Sequence, residues 1–189
     1  MGPLRVSVVM ANWNGAAFVA RALASVEASM RAARAEGEIV VIDDASTDDS
    51  PRIIEDRFPA ARLLRNPRNL GFAATVNRGL REASQARVIL INNDIVLRSD
   101  FVANVLAPFE AGDPTGGPLF AVSARTLQWT TGEPNHVCMN GRWRRGFIET
   151  TWSDPREPAP ALFIQAGACA LRRDWALELG GLRDLYRPG

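Results

Sequence analysis

The chain has 189 residues, 47% of them hydrophobic, with a formal net charge of +1, a balance that describes a folded globular domain with a real core and excludes disorder. All 22 basic residues are arginine, so the P-loop lysine and any Schiff-base amine are missing and those two reaction classes fall away. The arginines are interleaved with 21 carboxylates, which leaves no basic stripe for nucleic acid.

The apolar runs are strand-sized, short of the ~20 residues a bilayer span requires. Met1 to Arg5 leads into a short Val-rich strand, not into a signal-peptide core. The expected setting is cytoplasmic, with peripheral association at the inner face of a membrane left open. Cys138, Cys169 and the single histidine, His136, lack metal-site spacing. Both thiols are expected to be ordinary buried ones, and His136 is assigned no role.

Arg5 to Met10 reads as a strand that ends in the polar turn Ala11-Asn12-Trp13-Asn14-Gly15. From Ala16 to Glu36, apolar residues recur at helical spacing through Phe18, Val19, Ala22, Leu23, Val26 and Met30, and Gly37 is expected to stop that helix. Ile39 to Ile42 is a second buried strand, running into Asp43-Asp44-Ala45-Ser46-Thr47-Asp48-Asp49-Ser50. Ser50 as N-cap and Pro51 at the first helical position start a short helix to Phe58. Ala61 to Leu64 is a third strand, Asn66 to Gly71 a loop, and Phe72 to Ala86 a helix with Phe72, Val76, Leu80 and Ala83 on one face.

Val88 to Asp94 organises the rest. Four consecutive branched residues, Val88-Ile-Leu-Ile91, describe a strand buried on both faces, as in a parallel sheet flanked by helices. Ser99-Asp100 caps a helix from Phe101 to Glu110. The strand-helix-strand order gives βαβ units and an α/β fold with a mainly parallel sheet.

Beyond Ala111 the texture changes. Gly112 to Pro118 is turn-rich, Leu119 to Leu127 a strand, Pro155 to Pro160 a stiff linker, Leu162 to Leu171 another strand, and Asp174 to Leu179 a short helix closed by Gly180-Gly181. Trp129 to Trp152 is too long for a structureless connector, so it either holds a hairpin or covers a ligand site. Its tryptophans, Trp129, Trp143 and Trp152, are read as anchors to the body, with stacking on a sugar as the competing reading. Arg142, Arg144 and Arg145 are read as solvated surface, with a diphosphate or a lipid-linked acceptor as the alternative.

Three polar clusters follow three strands: Asn12 to Asn14, Asp43-Asp44, and Asn92 to Asp94. Parallel strands place their carboxyl ends on one edge, where ligands bind in open α/β sheets, so the three are expected to meet in one crevice. Ser46, Thr47, Asp48 and Asp49 have a sufficient account as turn and capping residues. Asp43 and Asp44 do not, because they continue straight from a buried strand, where an unpaired carboxylate is costly.

The ordered set Val6-Ser-Val-Val-Met-Ala-Asn-Trp-Asn14, Val41-Ile-Asp-Asp-Ala-Ser-Thr-Asp48, Asn69-Leu-Gly-Phe-Ala-Ala-Thr-Val-Asn-Arg-Gly79 and Leu90-Ile-Asn-Asn-Asp94 resembles the successive motifs of the family 2 glycosyltransferases. Gly167-Ala-Cys-Ala-Leu-Arg-Arg-Asp174 and Gly180-Gly-Leu-Arg-Asp184 are similar to that family's segment ahead of its catalytic acidic motif. The resemblance implies the GT-A fold, a Rossmann-like nucleotide-diphospho-sugar transferase sheet. It divides the single domain into a nucleotide-binding βαβ part over 1–110 and an acceptor-side part over 111–189.

It also implies an inverting transfer from a dTDP- or UDP-linked sugar to a saccharide or lipid-linked saccharide acceptor, in polysaccharide or glycoconjugate synthesis at the cell envelope. By position, Ala11 and Trp13 would lie against the nucleoside, with Asn12 counted among the donor-binding residues. Asp44, with Asp43 as second choice, would accept from the base, and Asn69, Gly71 and Asn77 would line the pocket. Asn93-Asp94 stands in place of the family's DxD, with Asp94 as ligand to a divalent cation, Mn2+ or Mg2+. The Asn-Asn-Asp form is similar to members that handle dTDP-rhamnose or a furanose donor.

The family's catalytic base, in an acidic pair after Gly-Gly-Leu, has no match before Gly189. Asp184 matches only a structural acidic position. The base is therefore expected beyond Gly189, the fold to be C-terminally incomplete, and the chain by itself either an enzyme portion or a silent nucleotide-sugar binding module. A dinucleotide-dependent oxidoreductase on the same kind of sheet requires Gly-x-Gly-x-x-Gly after the first strand, which Ala11 to Ala16 does not supply.

Overall fold

The computed structural model describes residues 4–112, 117–135, 138–153, 159–161 and 163–183. In chain order the elements are β1 (Arg5–Asn12), α1 (Val19–Ala32), β2 (Glu36–Asp43), α2 (Ser50–Arg57), β3 (Arg62–Arg65), α3 (Phe72–Glu82), β4 (Arg87–Asn92) and α4 (Phe101–Ala111). They are followed by β5 (Ala121–Ser123), β6 (Cys138–Arg144), β7 (Phe147–Ser153), β8 (Ala168–Arg172) and α5 (Arg173–Glu178).

Six strands form one sheet in the order β3-β2-β1-β4-β8-β5. The first four are mutually parallel, and β8 closes antiparallel on β4. The uninterrupted apolar runs now have their reason, since both faces of the sheet are covered. Val6, Val8 and Met10 of β1 face α1 and α4 through Val19, Leu23, Val26, Val102 and Leu106, while Val9 faces α3 through Val76 and Leu80. The register sets Asn12 opposite Asp43 and Ala11 opposite Asn92, so the three polar strand ends lie level on one edge.

Several local expectations change. Helix α1 ends at Ala32 and the chain reverses at Arg34 (φ 50°). Gly37 does not stop the helix: it lies inside β2, where a Cβ would come within 1.8 Å of the Val6 carbonyl oxygen. Ser50 is helical and not the N-cap; that position is Asp49, which makes no side-chain cap bond. The strand expected over Leu119 to Leu127 shrinks to β5, because Leu127 turns away to bridge Pro134. The strand expected from Leu162 begins only at Ala168, after a turn in which its N–H bonds the Gln165 carbonyl.

The Trp-rich stretch contains a hairpin, β6 paired antiparallel with β7 through the turn Arg145-Gly146, both at positive φ (48° and 86°), the type I′ habit. Two of its tryptophans make the expected anchoring contacts, Trp129 under the Arg21 guanidinium of α1 at 4.4 Å and Trp152 edge-on to Phe163 at 5.9 Å, whereas Trp143 is 71% exposed. Cys138 and Cys169 are buried free thiols, as expected. His136, Asp184, Pro188, Gly189 and most of the Pro155 to Pro160 linker lie outside the described residues.

Candidate functional site

Asn12, at the end of β1, is buried and ties three strand ends together. Its Nδ2 donates to Asp43 Oδ1 at 2.8 Å and to the Ser50 hydroxyl at 2.9 Å, and its Oδ1 accepts from Asn93 Nδ2 at 2.9 Å. Asp43 is buried too. Its carboxylate also takes the Ser46 hydroxyl at 2.6 Å and the Ser46 N–H at 3.1 Å, which meets the demand that a buried carboxylate be fully hydrogen-bonded. Gly15 makes the junction sterically feasible, since a Cβ there would fall 2.3 Å from Asn93 Nδ2 and 2.4 Å from Asn12 Oδ1.

The loops after β1 and β2 are laced to each other. The Asn14 N–H donates to the Ser46 hydroxyl at 2.9 Å, Asn14 Oδ1 accepts the Thr47 N–H at 2.8 Å, and Asp48 Oδ2 accepts the Ala16 N–H at 2.8 Å. Burial by itself raises the Asp48 carboxyl. The hydrogen bonds from Ser50 and Ala16 outweigh it and hold the group below its ordinary value. Ser46, Thr47, Asp48 and Ser50 thus do more than cap and turn: they tie the loop after β2 to the end of β1 and the loop that follows it.

Asp44 faces the next loop along. Its Oδ1 accepts Asn66 Nδ2 at 2.7 Å and the Leu70 N–H at 2.9 Å, and its Oδ2 accepts the Gly71 N–H at 2.9 Å. Asn69 Oδ1 shares that Gly71 N–H at 3.0 Å. Arg78 braces the same loop, donating to Asn66 Oδ1 at 2.6 Å and to the Arg65 carbonyl at 2.8 Å. Asp44, Asn69 and Gly71 therefore form one joint between β2 and the start of α3.

Asn77 is engaged elsewhere. Its side-chain amide clamps the backbone of one residue, donating to the Leu182 carbonyl and accepting the Leu182 N–H, both at 2.8 Å. Ala11 lies partly covered in β1, whereas Trp13 and Asp94 are exposed at the rim. Asn92 Oδ1 is a buried acceptor with no hydrogen-bond partner among the described residues.

Asn12, Asp43 and Asn93 are thus in direct contact, Asp44, Asn69 and Gly71 are joined beside them, and Asn77 holds the segment after Gly181. Gly15, Ser46, Ser50 and Asn66 are the participants that sequence reasoning passed over. Ser46 and Ser50 carried a signal, as hydroxyls within a few residues of a buried strand end, but turn chemistry explained them equally well. Among the described residues no three His, Cys, Asp or Glu side chains gather as a metal cage. One exposed carboxylate beside fixed amides suits a cation whose remaining ligands come from a diphosphate and water.

The sequence profile described as Glycosyl transferase family 2 matches residues 7–180. The chain belongs to that family. An uncharacterized protein of Mycobacterium tuberculosis (strain CDC 1551 / Oshkosh) is 28% identical over 202 residues, covering 96% of this chain and 58% of its own length. The mannosyltransferase PcManGT from Pyrobaculum calidifontis, solved with GDP-Man and Mn2+, superposes with a TM-score of 0.63 at 22% identity, over 97% of this chain and 48% of its own. GalNAc-T7, solved with UDP, GalNAc and Mn2+, superposes with a TM-score of 0.68 at 21% identity, over 95% of this chain and 36% of its own. The family 2 chain therefore has the GT-A fold, and it spans about half the length of the mannosyltransferase it matches.

Proposed function

We propose that this family 2 chain carries the donor site of an inverting glycosyltransferase that moves a sugar from a nucleoside diphosphate to an acceptor hydroxyl, in polysaccharide or glycoconjugate assembly. The observation that supports the reading is the Asn12 junction, which joins the ends of β1, β2 and β4 by hydrogen bonds, one residue before the exposed Asp94. In such a reaction the acceptor oxygen bonds to the anomeric carbon as the bond to the diphosphate oxygen breaks, and the acceptor proton passes to a base.

Asp94 is assigned as the protein ligand of a divalent cation, Mn2+ or Mg2+. When bound, that cation supplies charge neutralisation on the departing diphosphate. Asn93, fixed by Asn12, sets the backbone that presents Asp94. Ala11 and Trp13 are assigned to the nucleoside face, and Asp43 and Asp44, with Asn69 and Gly71, to the wall on the base side. Asn77 is assigned to the same pocket through the Leu182 segment it holds. The Asn-Asn-Asp sequence in place of a two-carboxylate motif favours a dTDP-rhamnose or furanose donor over UDP-N-acetylglucosamine. The acceptor is assigned as a saccharide or a lipid-linked saccharide.

The test is a thermal titration of the purified chain with dTDP-, UDP- and GDP-sugars in Mn2+. Binding of one donor at a hundredfold excess over its Kd stabilises the fold by about 2.7 kcal/mol; no shift with any of them overturns the reading. An alternative, a nucleotide-sugar binding module without turnover, predicts the same thermal shift with turnover lower by ~10²–10⁴, the factor a general base supplies.

A further inference from the structure

The hydrogen bonds described around Asn12 and Asp44 involve no residue of the hairpin β6-β7. Residues 140–152 are all exposed. The cross-strand pairs set Met139 and Trp152, Gly141 and Thr150, and Trp143 and Ile148 on one face, and Asn140, Thr151, Arg142, Glu149, Arg144 and Phe147 on the other. The first face is apolar yet wet, with Trp143 71%, Ile148 52% and Trp152 48% exposed. Phe163 extends it, meeting the Trp152 ring edge-on at 5.9 Å. A two-stranded ribbon is marginal in water without something on its apolar side.

We propose that this face docks on an anionic phospholipid bilayer. Charge argues for it: the hairpin carries Arg142, Arg144 and Arg145 against Glu149 alone. Glu149 meets only Arg144, at 3.5 Å, and Arg142 and Arg145 have no ion-pair partner among the described residues. Arginines on the far face and at the turn extend their stems past the apolar side chains and leave their guanidinium groups among phosphates. Tryptophan settles at the same headgroup level.

A second copy of the chain is a poorer occupant, because it would bring two sets of unpaired arginines together. A soluble protein partner is poorer still. Four side chains bounded at ~150–250 Å² and about half exposed present roughly 400 Å², near half of the ~800 Å² each partner gives a standard interface. A bilayer sets no such minimum, since an amphipathic element needs only to sink its apolar face ~5–10 Å into the headgroup boundary.

The experiment is cosedimentation of the full chain with vesicles of phosphatidylcholine containing phosphatidylglycerol, against phosphatidylcholine alone. Binding is expected on the mixed vesicles. Trp143→Ser with Ile148→Ser weakens it about tenfold or more, and Arg142→Gln, Arg144→Gln and Arg145→Gln together weaken it on the order of a hundredfold at low salt. Circular dichroism and melting of both variants stay as in the parent, because the altered side chains are exposed. Failure to bind, binding equal on both vesicle types or in either variant, or a dimer by light scattering that Trp143→Ser abolishes, each overturns the proposal. None of these outcomes depends on the donor site.

Discussion

Asn93 donates its side-chain amide to Asn12 Oδ1 at 2.9 Å across 81 positions of sequence, and the same Asn12 donates to Asp43. A single buried amide therefore sets how the ends of three strands meet. Asn12→Ala leaves Asp43 short of a donor and Asn93 short of an acceptor. The expected cost is roughly 2–4 kcal/mol in a urea melt, from buried polar groups left unpaired, together with loss of donor-induced stabilisation. A variant as stable as the parent would mean the junction contributes nothing.

Gly15→Ala tests the same junction from the other side. The added methyl would stand 2.3 Å from Asn93 Nδ2 and 2.4 Å from Asn12 Oδ1, so the bridge must open. Overpacking of this kind costs about 1–3 kcal/mol. Donor affinity by calorimetry is expected to fall with it, whereas Gly132→Ala, where a Cβ meets no atom within 4 Å, serves as a control for affinity.

Asp94 is exposed, so Asp94→Asn should leave the melting temperature without ligand unchanged. The donor-induced shift measured with Mn2+ should then fall to the level measured with chelator. If the variant retains a full Mn2+-dependent shift, Asp94 is not the cation's ligand.

The Asn77 clamp is read through Asn77→Ala and Gly181→Ala. The first removes both hydrogen bonds to Leu182, and the second places a Cβ 2.2 Å from Asn77 Oδ1 at a residue with φ 71°. Each is expected to lower stability by roughly 1–3 kcal/mol and to speed hydrogen exchange at the Leu182 amide while β1 and β4 stay protected. Exchange unchanged at Leu182 would show that the clamp does not hold that segment.

Stability should fall in acid through Glu38. Burial alone raises this carboxyl, but hydrogen bonds from Ser84 and Ser7 and the Arg62 guanidinium outweigh it and hold the group below its ordinary 4.5. With the folded value below the unfolded one, the stabilisation is full above the ordinary value and is lost as pH falls through the folded value. Asp48 follows the same sign below its ordinary 3.8. Urea midpoints are expected to hold from neutrality down to about pH 5 and decline beneath it, with Glu38→Gln flattening that decline. An equal decline in the variant would place the acid sensitivity elsewhere.

Much of the fold was legible because apolar runs report burial directly. Val88 to Ile91 has no polar member, so it had to be covered on both faces, and it became the interior strand β4. Element ends were less legible. Gly37 suggested a helix stop, but its lack of a side chain answers to the Val6 carbonyl on a neighbouring strand. Ser50 suggested a cap, but its hydroxyl is paired with Asn12, far back in the chain. Local rules misassigned both because each residue also meets a partner distant in sequence, although the Ser50 hydroxyl keeps a local bond to Asp48 as well.

By itself the sequence determined a mainly parallel α/β sheet with polar residues at three strand ends on one edge, since strand burial and the direction of parallel strands depend on local pattern alone. Only the tertiary structure decided which of those residues face one another: that Asn12 is the junction, that Asp44 holds the loop before α3, and that Asn77 holds Leu182. Side-chain amides and carboxylates take whatever donor or acceptor the packed backbone brings within about 3 Å. That proximity does not exist until the sheet and its covering helices have closed.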